Sequence, residues 1–304
     1  MTTPAGRDLD MGLLAALLSS VFSSSKDLMS KRLAFRLDGT VSTFASFAFA
    51  LPYYVVLLAV LALLGHETVT LTLTFFILVL LRSITDTLAE WMKMHALGHG
   101  DLSMVVLVLS ISPLLLLITS PLITKDRLTL VEVVAVVLVV VGSVLMVYRP
   151  SARSWIGQKK GILYATGAAL FFSFNACFDR LAVERGTPVF AGFTMTLLSA
   201  LFLSPLIFGN KDRLRSLQVH RVGFLVRGLL ETLFMVCKLS ALQSLDAPTV
   251  TGIQRLSLLL SIIGGRVFFQ EKDFRRRLAA GVLIVAGVVL ITWWQLGSHS
   301  RTGG

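Results

Sequence analysis

Residues 82 to 97, Arg82-Ser-Ile-Thr-Asp86-Thr-Leu-Ala-Glu90-Trp-Met-Lys93-Met-His-Ala-Leu97, set four charged side chains inside a stretch otherwise apolar enough to cross a membrane. At about 100° per residue, Arg82, Asp86, Glu90 and Lys93 share an arc of roughly 80°, so one helix face carries all four charges and the opposite face stays apolar. Charge at that depth is costly and is kept where it faces a bundle interior or a wet cavity. Residues 227 to 242 repeat the design. Arg227-Gly-Leu-Leu-Glu231-Thr-Leu-Phe-Met-Val-Cys-Lys238-Leu-Ser-Ala-Leu242 has Arg, acid, Thr-Leu, Lys and Ala-Leu at unchanged spacing. Glu90 alone is unmatched, its register position holding Met235.

The rest of the 304-residue chain agrees with a membrane setting: 55% hydrophobic residues, 15% charged residues and a mean hydropathy of +0.81 are the composition of a bilayer protein. A net charge of +11 would suggest nucleic acid in a soluble protein. Here the basic residues stand in short clusters between apolar segments, which reads as a topology signal, and no nucleic-acid partner is expected. Cys177 and Cys237 lie inside apolar stretches, without the spacing of a disulfide framework or a metal site. The first apolar stretch lacks a basic start and carries Lys26, Asp27 and Lys31 near its end, so it is expected to be a retained span and not a cleaved signal peptide.

A span needs about 20 mostly apolar residues. Candidates fall near 11–33, 42–64, 72–96, 102–123, 130–148, 161–183, 189–208, 222–243, 247–268 and 278–296. The fold class expected is therefore all-α, a polytopic membrane protein of about ten helices in one compact bundle. The connection 149–160 is its midpoint, dividing a first five-helix repeat, 1–148, from a second, 149–304. The shift of 145 that relates the two charged stretches also aligns Asp101 with Asp246, Ser112 with Ser257, Asp126 with Glu271 and Gly142 with Gly287. A shift of 149 relates the first helices, pairing Gly12 with Gly161, Ser24 with Ser173 and Lys31 with Arg180. An odd number of spans per copy inverts the second copy in the membrane, the arrangement secondary transporters use for alternating access.

These repeats, the turn Ala241-Leu242-Gln243-Ser244-Leu245-Asp246-Ala247-Pro248 and the acidic turn Asp126-Arg127-Leu128-Thr129 resemble the EamA-type transporters of the drug/metabolite transporter superfamily, from about residue 11 to 296. In the second copy only Glu271 of the acidic turn survives clearly, and the mid-span proline present as Pro113 is Leu258. The resemblance implies a cavity lined by the first, third and fourth spans of each copy, with the fifth spans peripheral.

Among the charged residues of the spans, cations outnumber acids, which points to a substrate bearing a carboxylate or phosphate that Arg and Lys would hold. Arg255 in the ninth span has no acid at helical spacing and corresponds to Ser110, which makes it the leading substrate contact, with Thr251 one turn before it. Arg82, Arg227, Lys93 and Lys238 are further candidates. Ser24 and Asp27 join them from the polar stripe of the first helix, whose remaining members are Ser20 and Lys31, while Lys26 points elsewhere on this count. Ser173 belongs to the corresponding face of the sixth helix, with Cys177, Arg180 and Glu184. Lys31 and Arg180 also read as helix-end side chains that snorkel. Asp86, Glu90 and Glu231 are the candidates for proton or ion coupling. The bland alternative is that Arg82 with Asp86, and Arg227 with Glu231, are neighbouring pairs that neutralise each other. His95 and His99 read as loop histidines, too few for a metal site.

Spans five and ten are uncharged inside and rich in Val, Leu and Ile, with Gly142 and Gly287 permitting close helix approach, so they would face lipid or the partner of a homodimer. Most basic loop residues gather on one side, from Arg32 and Arg36 to Arg275, Arg276 and Arg277. The positive-inside rule makes that side cytoplasmic and both termini external, whereas many relatives in the superfamily are thought to have cytoplasmic termini. The function expected is secondary transport of a small polar, anionic or zwitterionic metabolite across a cell (inner) membrane. Alternatives are export of amphiphilic or cationic compounds, flipping of a lipid-linked phosphate, and a membrane scaffold without transport. No cofactor or metal is expected and enzymatic chemistry is not, since the chain lacks a Walker loop, a nucleophile elbow and a His/Asp cluster.

Overall fold

The computed structural model describes residues 4–34, 39–65, 72–99, 108–126, 128–147, 159–260 and 281–294, and every regular element among them is helical. In chain order these are α1 (Pro4–Ala34), α2 (Gly39–Ala48), α3 (Leu51–Leu63), α4 (Leu73–His99), α5 (Ser112–Ile123), α6 (Leu130–Val147), α7 (Lys159–Val183), α8 (Pro188–Phe208), α9 (Lys211–Val219), α10 (Arg221–Ser244), α11 (Ala247–Gln254) and α12 (Gly281–Trp294). By length and composition alone, Gly39–Leu63, Lys159–Val183 and Pro188–Phe208 are long and apolar enough to cross a membrane. The charged helices α4 and α10 reach 27 and 24 residues, beyond the roughly 20 that a bilayer requires.

The structure adds two features to these expectations and corrects one. Span two is bent at Phe49–Ala50, just before Pro52 in the first turn of α3. The 209–221 connection contains the polar helix α9, whose Asn210 cap accepts from the amides of Asp212 and Arg213. Its apolar face is only Leu214 and Leu217, and nine mostly polar residues are too short a run for hydrophobic periodicity to stand out. His95 is not in a loop but in the last turns of α4, packed on Trp91 and Tyr164.

Spans four and nine are both interrupted, at Ser110–Ile111 and at Arg255, which are register equivalents. In the first copy Pro113 explains the break, because it lacks the N–H that would continue the ladder and sits in the first turn of α5. In the second copy Leu258 replaces the proline and the break persists; Ser20 of α1 donates to the Ile253 carbonyl at 3.0 Å, so packing from another helix supports a freed backbone acceptor.

The two copies are crossed in space. α1 packs along α10 and α4 along α7, so the first span of each copy lies on the third span of the other. Span two packs on span seven, and the outer helices meet through glycine. A methyl at Gly142 would lie 2.9 Å from the Ile284 amide nitrogen, and one at Gly287 would lie 2.6 Å from the Ala135 carbonyl and 2.7 Å from Val139, the register equivalent of Ile284. The small-residue approach is thus used between α6 and α12 of the same chain. Their outer faces, Val134, Val137 and Val141 on one and Val282, Val285 and Val289 on the other, are exposed apolar surface suited to lipid.

Candidate functional site: a charged seam between the crossed repeats

The motif's helical spacing turns the charges of α4 and α10 toward α7 and α1, where they form two unlike clusters. In the first, Arg82 pairs with Asp86 at 2.6 Å on its own helix and with Asp179 of α7 at 2.9 Å. Lys238 of α10 reaches the other Asp179 oxygen at 2.6 Å. Asp86 also accepts from the Asn175 amide at 2.9 Å, and Thr85 donates to the Asn175 carbonyl oxygen. Asp179 is 0% exposed, and Arg82 and Asp86 are buried beside it. In so dry a place each charge persists through its partners, because removing one leaves the other uncompensated.

The second cluster lies toward the opposite ends of α4 and α10. Lys26 of α1 contacts Glu231 of α10 at 3.3 Å and stacks over the Phe234 ring at 4.0 Å. Glu90 and Lys93 pair within α4, and Lys93 sits 5.7 Å from the centre of the Phe172 ring. Glu90 also lies within the electrostatic fields of Lys26 and Arg227. This cluster is wetter, with the Lys93 and Glu90 side chains 27% and 20% exposed.

The repeat register makes sense of both. Asn175 corresponds to Lys26 and Asp86 to Glu231, so the Asn175–Asp86 bond and the Lys26–Glu231 pair are one contact built twice. Lys26 was expected to point away from the polar stripe, yet its long flexible stem carries the ammonium to Glu231. Glu231 therefore pairs across helices with Lys26, whereas Arg82 and Asp86 form the neighbouring pair that spacing suggested. Asp179 has no acidic equivalent, since Ser30 occupies its register position.

The remaining candidates are dispersed. Arg255 and Thr251 lie at and just before the break of span nine, partly buried. Ser24 is buried in α1, and Ser173 is buried in α7 with its hydroxyl donating to the Leu170 carbonyl at 2.7 Å. Arg227 is half-buried near the start of α10. Arg180 donates to the Leu242 and Leu245 carbonyls and pairs with Glu184, which makes it a cap on the C-terminus of α10. The side chains of Asp27 and Lys31, together with Asp101, Glu271 and the 149–158 connection, lie outside the described residues. Sequence reasoning undervalued Asp179. The signal was present in Asn175 and Asp179, one helical turn apart on a face of α7 distinct from that of Ser173 and Cys177.

Comparison with known proteins agrees with this architecture. The model of the EamA-like transporter family matches residues 10–148 and 159–293. A solved structure described only as the crystal structure of a protein has a TM-score of 0.72 to this chain at 16% identity, covering 94% of this chain and 98% of the other, a likeness of fold. No curated protein matches the chain significantly.

Proposed function

We propose that this chain, which belongs to the EamA-like transporter family, is a secondary active transporter that moves a small polar metabolite, anionic or zwitterionic, by alternating access. The family's members are integral membrane transporters and not enzymes. The observation that carries the finer reading is the charged seam at the junction of two crossed, inverted copies, flanked by helices interrupted at equivalent positions, Ser110 and Arg255. Discontinuous spans at a repeat interface are where such proteins build substrate sites, because the freed backbone groups and the desolvated charges are available to a ligand. With Arg227 and Arg255 counted beside the paired charges of both clusters, the cations outnumber the acids, which favours an anionic group. The gathering of Lys and Arg in the sequence connections of one side favours that side as cytoplasmic.

A thermal-shift screen of the purified protein tests the reading, using amino acids, organic acids, phosphorylated metabolites and cationic drugs against wild type and Arg255→Ala. A ligand that binds the native state raises apparent stability by mass action. Stabilisation by an anionic or zwitterionic compound, weakened in Arg255→Ala, is the expected result. Stabilisation by cationic compounds alone, equal in both proteins, would favour an exporter of cations.

A further inference from the structure

Most of the contacts in the seam tie helices together. Arg82 and Lys238 hold Asp179 from two different helices, Lys26 holds Glu231 across α1 and α10, and Asn175 holds Asp86 across α7 and α4. Such contacts fix packing, and breaking them separates elements. The Glu90–Lys93 pair is different: it joins two residues one turn apart on the same helix, so exchanging Glu90 breaks no interhelical ion pair.

Three further observations single out this pair. Glu90 is the charged member of the motif without a counterpart, Met235 standing in its register position. Lys93 corresponds to Lys238, whose carboxylate partner Asp179 is replaced in the other copy by Ser30, so Lys93 takes its carboxylate from its own helix. Finally, Lys93 and Glu90 are the most exposed partners among these seam pairs, at 27% and 20%, so solute reaches them with the least rearrangement.

We propose that Glu90 and Lys93 form an exchangeable ion pair in which the carboxylate or phosphate group of a solute takes Lys93 from Glu90, occupying at this end the role that Asp179 plays for Lys238 at the other. Lys26 and Arg227, whose fields reach Glu90, raise the local positive potential for the incoming anion. Glu90 is thus a tethered competitor that keeps Lys93 paired between ligands, at a cost in affinity for any free anion. The proposal deepens the transporter reading and rests on it for the anionic class of ligand.

The test uses the full chain in detergent, with succinate and inorganic phosphate as anionic probes and choline as the cationic control, at constant ionic strength set with chloride. The concentration of each probe giving half of its maximal thermal shift is measured for wild type, Glu90→Gln, Lys93→Arg and Lys93→Met. Glu90→Gln keeps the shape of the side chain while removing the competing charge, so the half-effect concentration for an anion should fall about tenfold, the scale on which one charge-assisted hydrogen bond acts. Lys93→Arg should retain the anion response, and Lys93→Met should lose it. An anion response identical in wild type, Glu90→Gln and Lys93→Met would overturn this site while leaving an anion transporter in place. A response to choline alone, or to none of the probes, would overturn the site together with the anionic substrate class. If Lys93→Met does not fold, the comparison of Glu90→Gln with Lys93→Arg still decides.

Discussion

Asp179 of α7 and Lys238 of α10 meet at 2.6 Å, two helices of the same repeat joined by a carboxylate that a helix of the other repeat, through Arg82, also holds at 2.9 Å. The carboxylate is 0% exposed and shared by two cations, so it clamps both copies at that end of the seam. The opposite cluster lacks an acidic equivalent of Asp179 at the corresponding register position, and its pairs are more exposed. On the alternating-access reading proposed above, such a difference between ends, one tightly paired and buried and the other more exposed, marks one conformation.

Removing the clamp should be severe. Asp179→Asn leaves Arg82 and Lys238 facing a neutral amide in a dry site, and breaking a buried pair in this way costs about 3–5 kcal/mol. The expected outcome is a large drop in thermal midpoint by fluorescence-detected size exclusion, well beyond that of Glu90→Gln. Equal midpoints for the two variants would mean that the clamp does not hold the fold.

The glycine at 228 should tolerate no side chain. A methyl there would collide with the Phe49 carbonyl and lie 2.8 Å from the Ala50 nitrogen, so α10 rests directly on the bend of span two. Gly228→Ala is expected to cost about 1–3 kcal/mol through overpacking against backbone that cannot swing aside. Gly65→Ala is the control: nothing lies within 4 Å of its new methyl, and only the left-handed φ of 71° opposes it. The loss at 228 should exceed that at 65 in a thermal melt.

The turn between α10 and α11 should make stability depend on pH. Burial pushes the Asp246 carboxyl up to about 7 from 3.8; Glu132 and Asp126 push the same way, while Thr249 and Arg180 oppose them. Between those values the folded chain holds a proton that the unfolded chain has released, so this group's contribution is fully present below the lower value and is lost as pH rises through the upper one. Wild type should therefore lose thermal stability between about pH 4 and about pH 7, and Asp246→Asn should flatten that slope. A slope unchanged in Asp246→Asn would assign the dependence to another group.

Much of this was legible in the chain itself, because the physics that writes it is periodic. The 3.6-residue spacing of Arg82, Asp86, Glu90 and Lys93 fixed which face of α4 turns inward, and the unchanged spacing from Arg227 to Lys238 revealed the second copy. The partners were less legible. Lys26 lay off the expected stripe by angle and reached Glu231 through its flexible stem, and Asp179 shares its helix with an adjacent arginine that caps a different helix altogether. Helical angle locates a Cβ, whereas the ion pair is made several bonds further out. The interruption at Arg255 escaped as well, because Leu258 in place of a proline removes the local signal and leaves a contact from Ser20, more than two hundred residues away in sequence, to support the break.

The crossed packing has a consequence for how the protein is made. α1 leaves the ribosome well before the helix it rests on, α10, and Lys26 meets Glu231 only once α10 has followed. Until that moment the nascent first copy holds a cation whose carboxylate does not yet exist. Domains that fold from the N-terminus as they emerge avoid such a wait. Here neither copy carries the surface on which its own first helix rests, so assembly waits for the second copy, and a product truncated before α10 is left with the half of each contact that the bilayer tolerates least.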